Sequence, residues 1–452
     1  MKSFLLFTLL LIGISSQSLL IAQNEYSNFA PTPFPDRIML TIPGDPATSR
    51  AVSWRTVFSD TVSIGEITVV NPSPALEGTS AMITGTFSPW EEGSTTAMGH
   101  KVIFSNLEPN TKYAYRLGNG TQWSEWFQFE TSSDKDEPFS FLYFGDVQND
   151  IKSLGSRTLR QAYTHFPGAD FMLFVGDLVS RSNEEYWREF FYAGGWMFGM
   201  MPSVPVPGNH EYSSTEDGRR IFSKEWNQIY TMPENGPSKK FFNRSYYLDY
   251  QGARFVSLDS PSMGYNEEDA LLTLQWLEKT LQENPNKWAI VFTHYPVYSC
   301  SQGRDNERYR DAVKPVLEKH GVDLVLQGHD HTYCRGQNLA EVADKTKNSP
   351  MYVVSVAGPK MYGLSTEFWS DRMASNTQLY QLISVNGDEI DYKSYTVSGD
   401  IYDAFKLVKR KSGINEVIEP EQLENIRQRT EIPESAKSRY TEDDLKKYKS
   451  KF

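Results

Sequence analysis

The chain has 452 residues, room for about two or three domains at roughly 150 residues each. Hydrophobic residues make up 39% and charged residues 23%, so large cores are affordable and wholesale disorder is excluded. The formal net charge of -12 argues against duplex nucleic acid or an anionic membrane surface as the main partner. It does not exclude an anionic substrate, because a bound metal reverses the field locally.

Lys2 precedes an apolar run from Phe4 to Ile14, a short polar break, then Leu19, Leu20, Ile21 and Ala22. This reads as a secretory signal peptide over 1–22, cleaved after Ala22, with a membrane anchor as the alternative. No later segment is long enough to span a bilayer, so no stable membrane insertion is expected after cleavage. The expected location is secreted or periplasmic. Cys300 and Cys334 are the only cysteines, and in an exported chain such a pair is a candidate disulfide.

From Pro35 to Thr131, short runs alternate apolar and polar residues between turn signals, as in Arg37–Ile42, Ala51–Trp54 and Trp126–Phe129. That is an antiparallel β-sandwich pattern, assigned to 35–132. Leu107–Tyr115 resembles the tyrosine corner of fibronectin type III domains, and Trp54 is the expected core tryptophan. Ser132–Glu137 is polar and charged, a linker. From 138 to 405 the character changes. Continuous apolar runs at Phe139–Phe144 and Phe171–Val175 read as buried strands, as do Phe255–Leu258, Trp288–Thr293, Leu324–Leu326 and Tyr352–Val356. Helical patterns lie between them at Leu154–His165, Ala270–Gln282 and Asp311–His320. Alternation of strand and helix predicts an α/β domain around a buried sheet. The segment 406–452 is charged and poor in aromatics, with helix expected over Ile414–Arg429 and Thr441–Lys449 in a solvated or loosely docked tail.

Five polar clusters sit at the ends of predicted strands: Gly145-Asp146-Val147-Gln148, Gly176-Asp177, Gly208-Asn209-His210-Glu211, Val291-Phe292-Thr293-His294 and Gly328-His329-Asp330-His331. In an α/β sheet, residues just past the carboxyl ends of strands converge on one crevice. Two Asp, one Asn and three His suit Zn, Mn or Fe and suffice for two ions, with a carboxylate such as Asp177 bridging. Two ions about 3.5–4 Å apart can hold a hydroxide and clamp a phosphoryl group for in-line attack.

These blocks resemble the calcineurin-like metallophosphoesterase superfamily, and more closely its purple acid phosphatase branch, whose larger members carry a fibronectin-like domain ahead of the catalytic one. The resemblance covers roughly Pro35 to Phe405. It implies an α+β sandwich-type catalytic domain. It places Asp146, Asp177 and His331 on one ion, and Asp177, Asn209, His294 and His329 on the other. It makes His210 a non-ligand that faces the phosphate and helps protonate the leaving alcohol.

Three departures qualify it. Ser180 stands where the branch has its tyrosinate ligand, which removes the purple colour and weakens the preference for ferric iron. Gln148 stands where many relatives outside the branch have a ligand histidine; it either binds the first ion weakly or hydrogen-bonds a ligand. No histidine follows in Tyr295–Glu307, so Arg304 is a candidate phosphate contact, with Arg181 a second candidate. If His294 and His331 reach one site, a Cys300–Cys334 bridge would fix the rim of the cleft. The expected function is hydrolysis of small phosphomonoesters by an exported dinuclear enzyme. A phosphodiesterase or nucleotide pyrophosphatase is the alternative, and a secreted binding protein with a relict site a further one. Assembly state, metal identities and natural substrate are left open.

Overall fold

The computed structural model describes residues 30–92, 95–366 and 369–452; the expected signal peptide over 1–22 lies outside them. The first strands are β1 (Asp36–Thr41), β2 (Arg50–Val57), β3 (Ile64–Val69), β4 (Ala81–Thr84), β5 (Thr86–Glu92), β6 (Thr95–Phe104), β7 (Lys112–Gly118) and β8 (Phe127–Glu130). One sheet runs β4-β3-β7-β8, and β1-β2-β6-β5 faces it. Strand β8 shows the cause: Phe127 and Phe129 point inward while Gln128 and Glu130 stay exposed. Trp54, Val102, Tyr115 and Phe129 share the core between the sheets. Tyr113 Oη accepts a 2.8 Å hydrogen bond from the Glu108 N–H, tying β7 to the loop before it.

The rest comprises β9 (Phe139–Phe144), β10 (Phe171–Phe174), β11 (Ser203–Pro205), β12 (Tyr212–Ser214), β13 (Arg220–Phe222), β14 (Tyr246–Tyr250), β15 (Ala253–Leu258), β16 (Trp288–Thr293), β17 (Leu324–Gln327), β18 (Tyr333–Gly336), β19 (Met351–Val354), β20 (Arg372–Ala374), β21 (Leu379–Asn386), β22 (Glu389–Thr396), β23 (Ile401–Lys409) and β24 (Asn415–Ile418). The α-helices are α1 (Ser156–His165), α2 (Glu184–Gly194), α3 (Lys224–Ile229), α4 (Ser260–Tyr265), α5 (Glu267–Gln282), α6 (Glu307–Lys319) and α7 (Glu442–Lys451).

Strands β9, β10 and β11 are parallel, as are β15, β16, β17 and β19. The two mixed sheets close on one aromatic core, where Phe141 stacks on Phe171 at 5.0 Å and meets Phe255 edge-on at 5.2 Å. The outer face of β15–β17 is covered by α5 and α6 through Val256, Val291, Leu277 and Val313. These strands are buried on both faces, which is why they read as unbroken apolar runs. This is an α/β domain around two mixed sheets, behind an all-β sandwich.

Three features differ from the reading of the sequence. The sandwich and the catalytic part share a sheet, because β11 pairs in parallel with β1 through Thr41 and Ser203. The helix expected over Ile414–Arg429 is not formed. Asn415–Ile418 is strand β24, paired to β23, followed by a 3-10 turn at Glu421–Asn425. A free sheet edge offers this segment ladder hydrogen bonds, and tertiary pairing overrides local propensity. β23 also runs through the boundary expected at 405. The last residues are docked: Leu423, Ala436, Tyr440 and Tyr448 are buried.

Candidate dinuclear metal centre

Each candidate ligand follows the carboxyl end of a parallel strand. Asp146 follows β9, Asp177 follows β10, and Asn209 and His210 follow β11. His294 follows β16, and His329 and His331 follow β17. The strands come from both sheets and meet along one edge. Two donor groups result. Asp146, Asp177 and His331 hold ligand atoms within 4.8 Å of one another, and so do Asp177, His294 and His329. Asp177 belongs to both. His294 Nε2 lies 3.1 Å from Asn209 Oδ1 and 3.3 Å from Asp177 Oδ2, which adds Asn209 to the second group. His331 Nε2 lies 3.3 Å from Asp146 Oδ2.

The backbone is bent to make this cluster. Asp177, His329 and His331 have φ of 49°, 71° and 49°, in the left-handed region that costs a non-glycine residue about 1–2 kcal/mol. Strained backbone of this kind gathers at functional sites. Two glycines leave the space the ligands occupy. A Cβ on Gly208 would stand 2.2 Å from Asp177 Oδ1, and one on Gly328 would stand 2.5 Å from Asp146 Oδ1.

The ring nitrogens are oriented from behind. His294 Nδ1 donates to the Val175 carbonyl at 2.8 Å, and His331 Nδ1 donates to the Lys360 carbonyl at 3.0 Å. A carbonyl only accepts, so Nε2 is in each case the ring nitrogen turned toward the cluster. His329 turns its Nδ1 inward, 3.1 Å from His294 Nε2, while Arg304 contacts its Nε2.

Charge is crowded here. Burial pushes the Asp146 carboxyl up to about 7, with His294 opposing and Asp177 adding to the rise. Burial also works to raise Asp177, but His294 beside it outweighs that and holds it well below the usual carboxylate range. Burial would lower His294, yet Asp177 and Asp146 lift it to about 9. Burial drives His329 and His331 well below the ordinary histidine value, next to a charged His294 and Lys360 respectively. Asp146 Oδ2 is buried without a hydrogen-bond partner. Two carboxylates, inward imidazole nitrogens and an orphaned carboxylate oxygen fit a pair of cations of the Zn, Mn or Fe kind, which would displace the His294 proton.

The other expected residues divide. Gln148 Nε2 donates to Asp177 Oδ2 at 2.7 Å and lies 3.2 Å from His331 Nε2, while its Oε1 is buried without a partner. Ser180 Oγ accepts from the Asn149 N–H at 2.9 Å. His210 Nδ1 donates to the Ser180 carbonyl at 2.5 Å, leaving Nε2 3.8 Å from Asp177 Oδ2 on a 30% exposed side chain. Arg304 Nη1 donates to the His329 carbonyl at 3.0 Å, so this arginine does reach the cluster. Arg181 is exposed and makes no hydrogen bond or ion pair to the cluster among the described residues. Cys300 and Cys334 form a disulfide with Cα atoms 6.5 Å apart.

Two positioning residues had no role in the sequence reading. Glu211 is buried and accepts from the N–H groups of Gly208, Asp177 and Leu178 at 2.7, 2.9 and 2.9 Å, clamping the Asp177 turn to the Asn209 turn. Asp330 accepts from Ser299 Oγ and the Cys300 N–H and lies 3.6 Å from Arg304 Nε. Both sit inside motifs, but only the tertiary contacts show what they hold.

Residues 139–333 match the calcineurin-like phosphoesterase family, and residues 35–131 match the purple acid phosphatase N-terminal domain. The chain thus carries a calcineurin-like phosphoesterase domain behind a purple acid phosphatase N-terminal domain. Its relatives are purple acid phosphatases. One is purple acid phosphatase 21 of Arabidopsis thaliana, 30% identical over 276 residues, covering 60% of each chain. Another is Fe(3+)-Zn(2+) purple acid phosphatase 12 of the same plant, 27% identical over 303 residues, covering 60% of this chain and 62% of that one. The match therefore spans about three fifths of these relatives' length. The solved structure of PhoD shares the fold, with a TM-score of 0.61 at 12% identity over 93% of this chain and 99% of that one.

Proposed function

We propose that this protein is an exported dinuclear-metal phosphatase acting on small phosphomonoesters. The shared Asp177 between two donor groups carries this reading. Asp146 and His331 would hold one ion, Asn209, His294 and His329 the other, and Asp177 both, with Gln148 Nε2 donating to Asp177. A metal pair, iron and zinc in the relative named for them, supplies an activated water and neutralises the phosphoryl oxygens.

The chain's own residues do the rest. His210 has Nδ1–H committed to the Ser180 carbonyl, so its Nε2 is the atom that carries a proton to the leaving alcohol. Arg304 touches His329 Nε2, but with His329 Nδ1 turned to an ion, that Nε2 must keep its proton and cannot accept. Arg304 Nη2 is then free to donate to phosphate oxygens while Nη1 stays on the His329 carbonyl. Ser180 in place of a tyrosinate ligand removes the charge-transfer colour. Export is supported by the Cys300–Cys334 bridge, since disulfides persist in oxidising compartments.

The deciding measurement is metal content together with p-nitrophenyl phosphate hydrolysis, on wild type and Asp177→Asn. Wild type should bind about two ions per chain without an intense visible band. The variant should lose bound metal and drop roughly 100-fold or more in kcat. A wild-type protein that binds no metal and cleaves no ester would be a binding protein with a relict site. An intense visible band would overturn the account of Ser180.

A further inference from the structure

The end of the chain returns to the rim of the cleft. Tyr362 is the hub: its N–H donates to the His331 carbonyl at 3.1 Å, and its ring lies 4.8 Å from the His331 ring. Three cations surround that ring. The guanidinium carbon of Arg439 is 3.8 Å from its centroid, that of Arg304 is 5.2 Å away, and Lys360 Nζ is 5.6 Å away. Arg439 comes from the tail and is exposed, and no carboxylate pairs with it among the described residues.

The placement is built. Next to Arg439, Tyr440 is buried and its Oη donates to the Leu364 carbonyl at 2.6 Å. A Cβ on Gly363 would stand 2.0 Å from that Oη, so the loop is shaped to receive it. Tyr440 and Tyr448 pack with the Cys300–Cys334 bridge and Leu364 in one apolar cluster. The Arg304 loop joins the same unit, with the Gln302 N–H donating to the Gly363 carbonyl at 2.9 Å. In a chain of net charge -12, this is a local positive rim beside the phosphate site.

We propose that Arg439 and Lys360, which share the Tyr362 ring with Arg304, form a subsite for a second oxyanion on the alcohol part of the substrate. The preferred substrates are then phosphate esters whose alcohol carries a further carboxylate or phosphate. The subsite rests on the phosphatase reading above and names its substrate class. Arg304 meets the reacting phosphoryl group. Arg439 and Lys360, gathered at the Tyr362 ring beside it, meet the second charge.

The test uses two substrate pairs that differ by one oxyanion: glycerol 2-phosphate against 2-phosphoglycerate, and fructose 6-phosphate against fructose 1,6-bisphosphate. In wild type, kcat/KM should favour the doubly anionic member of at least one pair. Arg439→Gln should cut that ratio about tenfold, mainly through KM, as expected for one charge-assisted contact. Arg439→Lys should restore most of it, which separates charge from packing on Tyr362. Selectivity in one pair alone identifies the oxyanion as carboxylate or phosphate. No selectivity in either pair, or selectivity that survives Arg439→Gln, overturns the subsite. Failure of p-nitrophenyl phosphate hydrolysis in wild type is a different result: it removes the phosphatase reading, and the subsite with it.

Discussion

Glu211 holds more of the site together than its place beside His210 suggests. Its two oxygens satisfy backbone donors from two ligand-bearing turns. An amide cannot accept all of these bonds. Glu211→Gln should weaken metal affinity by about 10- to 100-fold while His210 stays in place, read by equilibrium metal titration. In the sandwich, His100 lies between Thr56 Oγ1 and Ser63 Oγ, each 2.7 Å from a ring nitrogen, and stacks on Trp54. Burial lowers its pKa from 6.5 to about 4. Between those values the unfolded chain binds a proton that the folded chain refuses. His100 therefore contributes stability that is full above pH 6.5 and is lost as pH falls toward 4. His100→Gln should flatten the fall in Tm across that window; an unchanged pH profile would reject this account.

At the scale of elements, the disulfide joins the loop after β16 to β18, and both carry the tail. Its cysteines are 34 residues apart, a loop for which closure entropy is worth about 3–4 kcal/mol. Replacing both cysteines by serine should lower Tm by several degrees. It should also raise protease sensitivity within 430–452 before the rest of the chain is cut. Equal sensitivity throughout would show that the tail docks independently of the bridge. Helix α2 makes another connection. Glu184 at its start pairs with Arg37 and with Arg55, whose side chains are 4% and 2% exposed. Glu184→Gln leaves the buried Arg37 guanidinium without its counter-charge while Arg55 keeps Asp36, a loss of about 3 kcal/mol measurable by denaturant titration.

At the scale of the whole molecule, one 11-stranded sheet runs through both the sandwich and the catalytic part. Besides β1 and β11, Ser53 Oγ donates to the Ile229 carbonyl at 2.6 Å, and Tyr115 Oη donates to the Gly199 carbonyl at 2.6 Å. Sandwich and catalytic part should therefore melt together, as a single calorimetric transition that Glu184→Gln moves as one. Two separate transitions would mean that the shared sheet does not couple them.

The sequence by itself determined the strands buried on both faces, the alternating sandwich strands and the ligand blocks. Each is a local signal: an apolar run, a period of two, or glycine beside a metal-binding side chain. Asp146, Asp177, Asn209, His210, His294, His329 and His331 were legible because they sit in chain order at strand ends. Only the tertiary structure decided the rest. The pairing of β11 with β1, the strand at Asn415–Ile418, the clamp at Glu211 and the stacking of Arg439 on Tyr362 join residues far apart in the chain. Their partners are set by which sheet edge or loop is free after folding, and no periodicity records that.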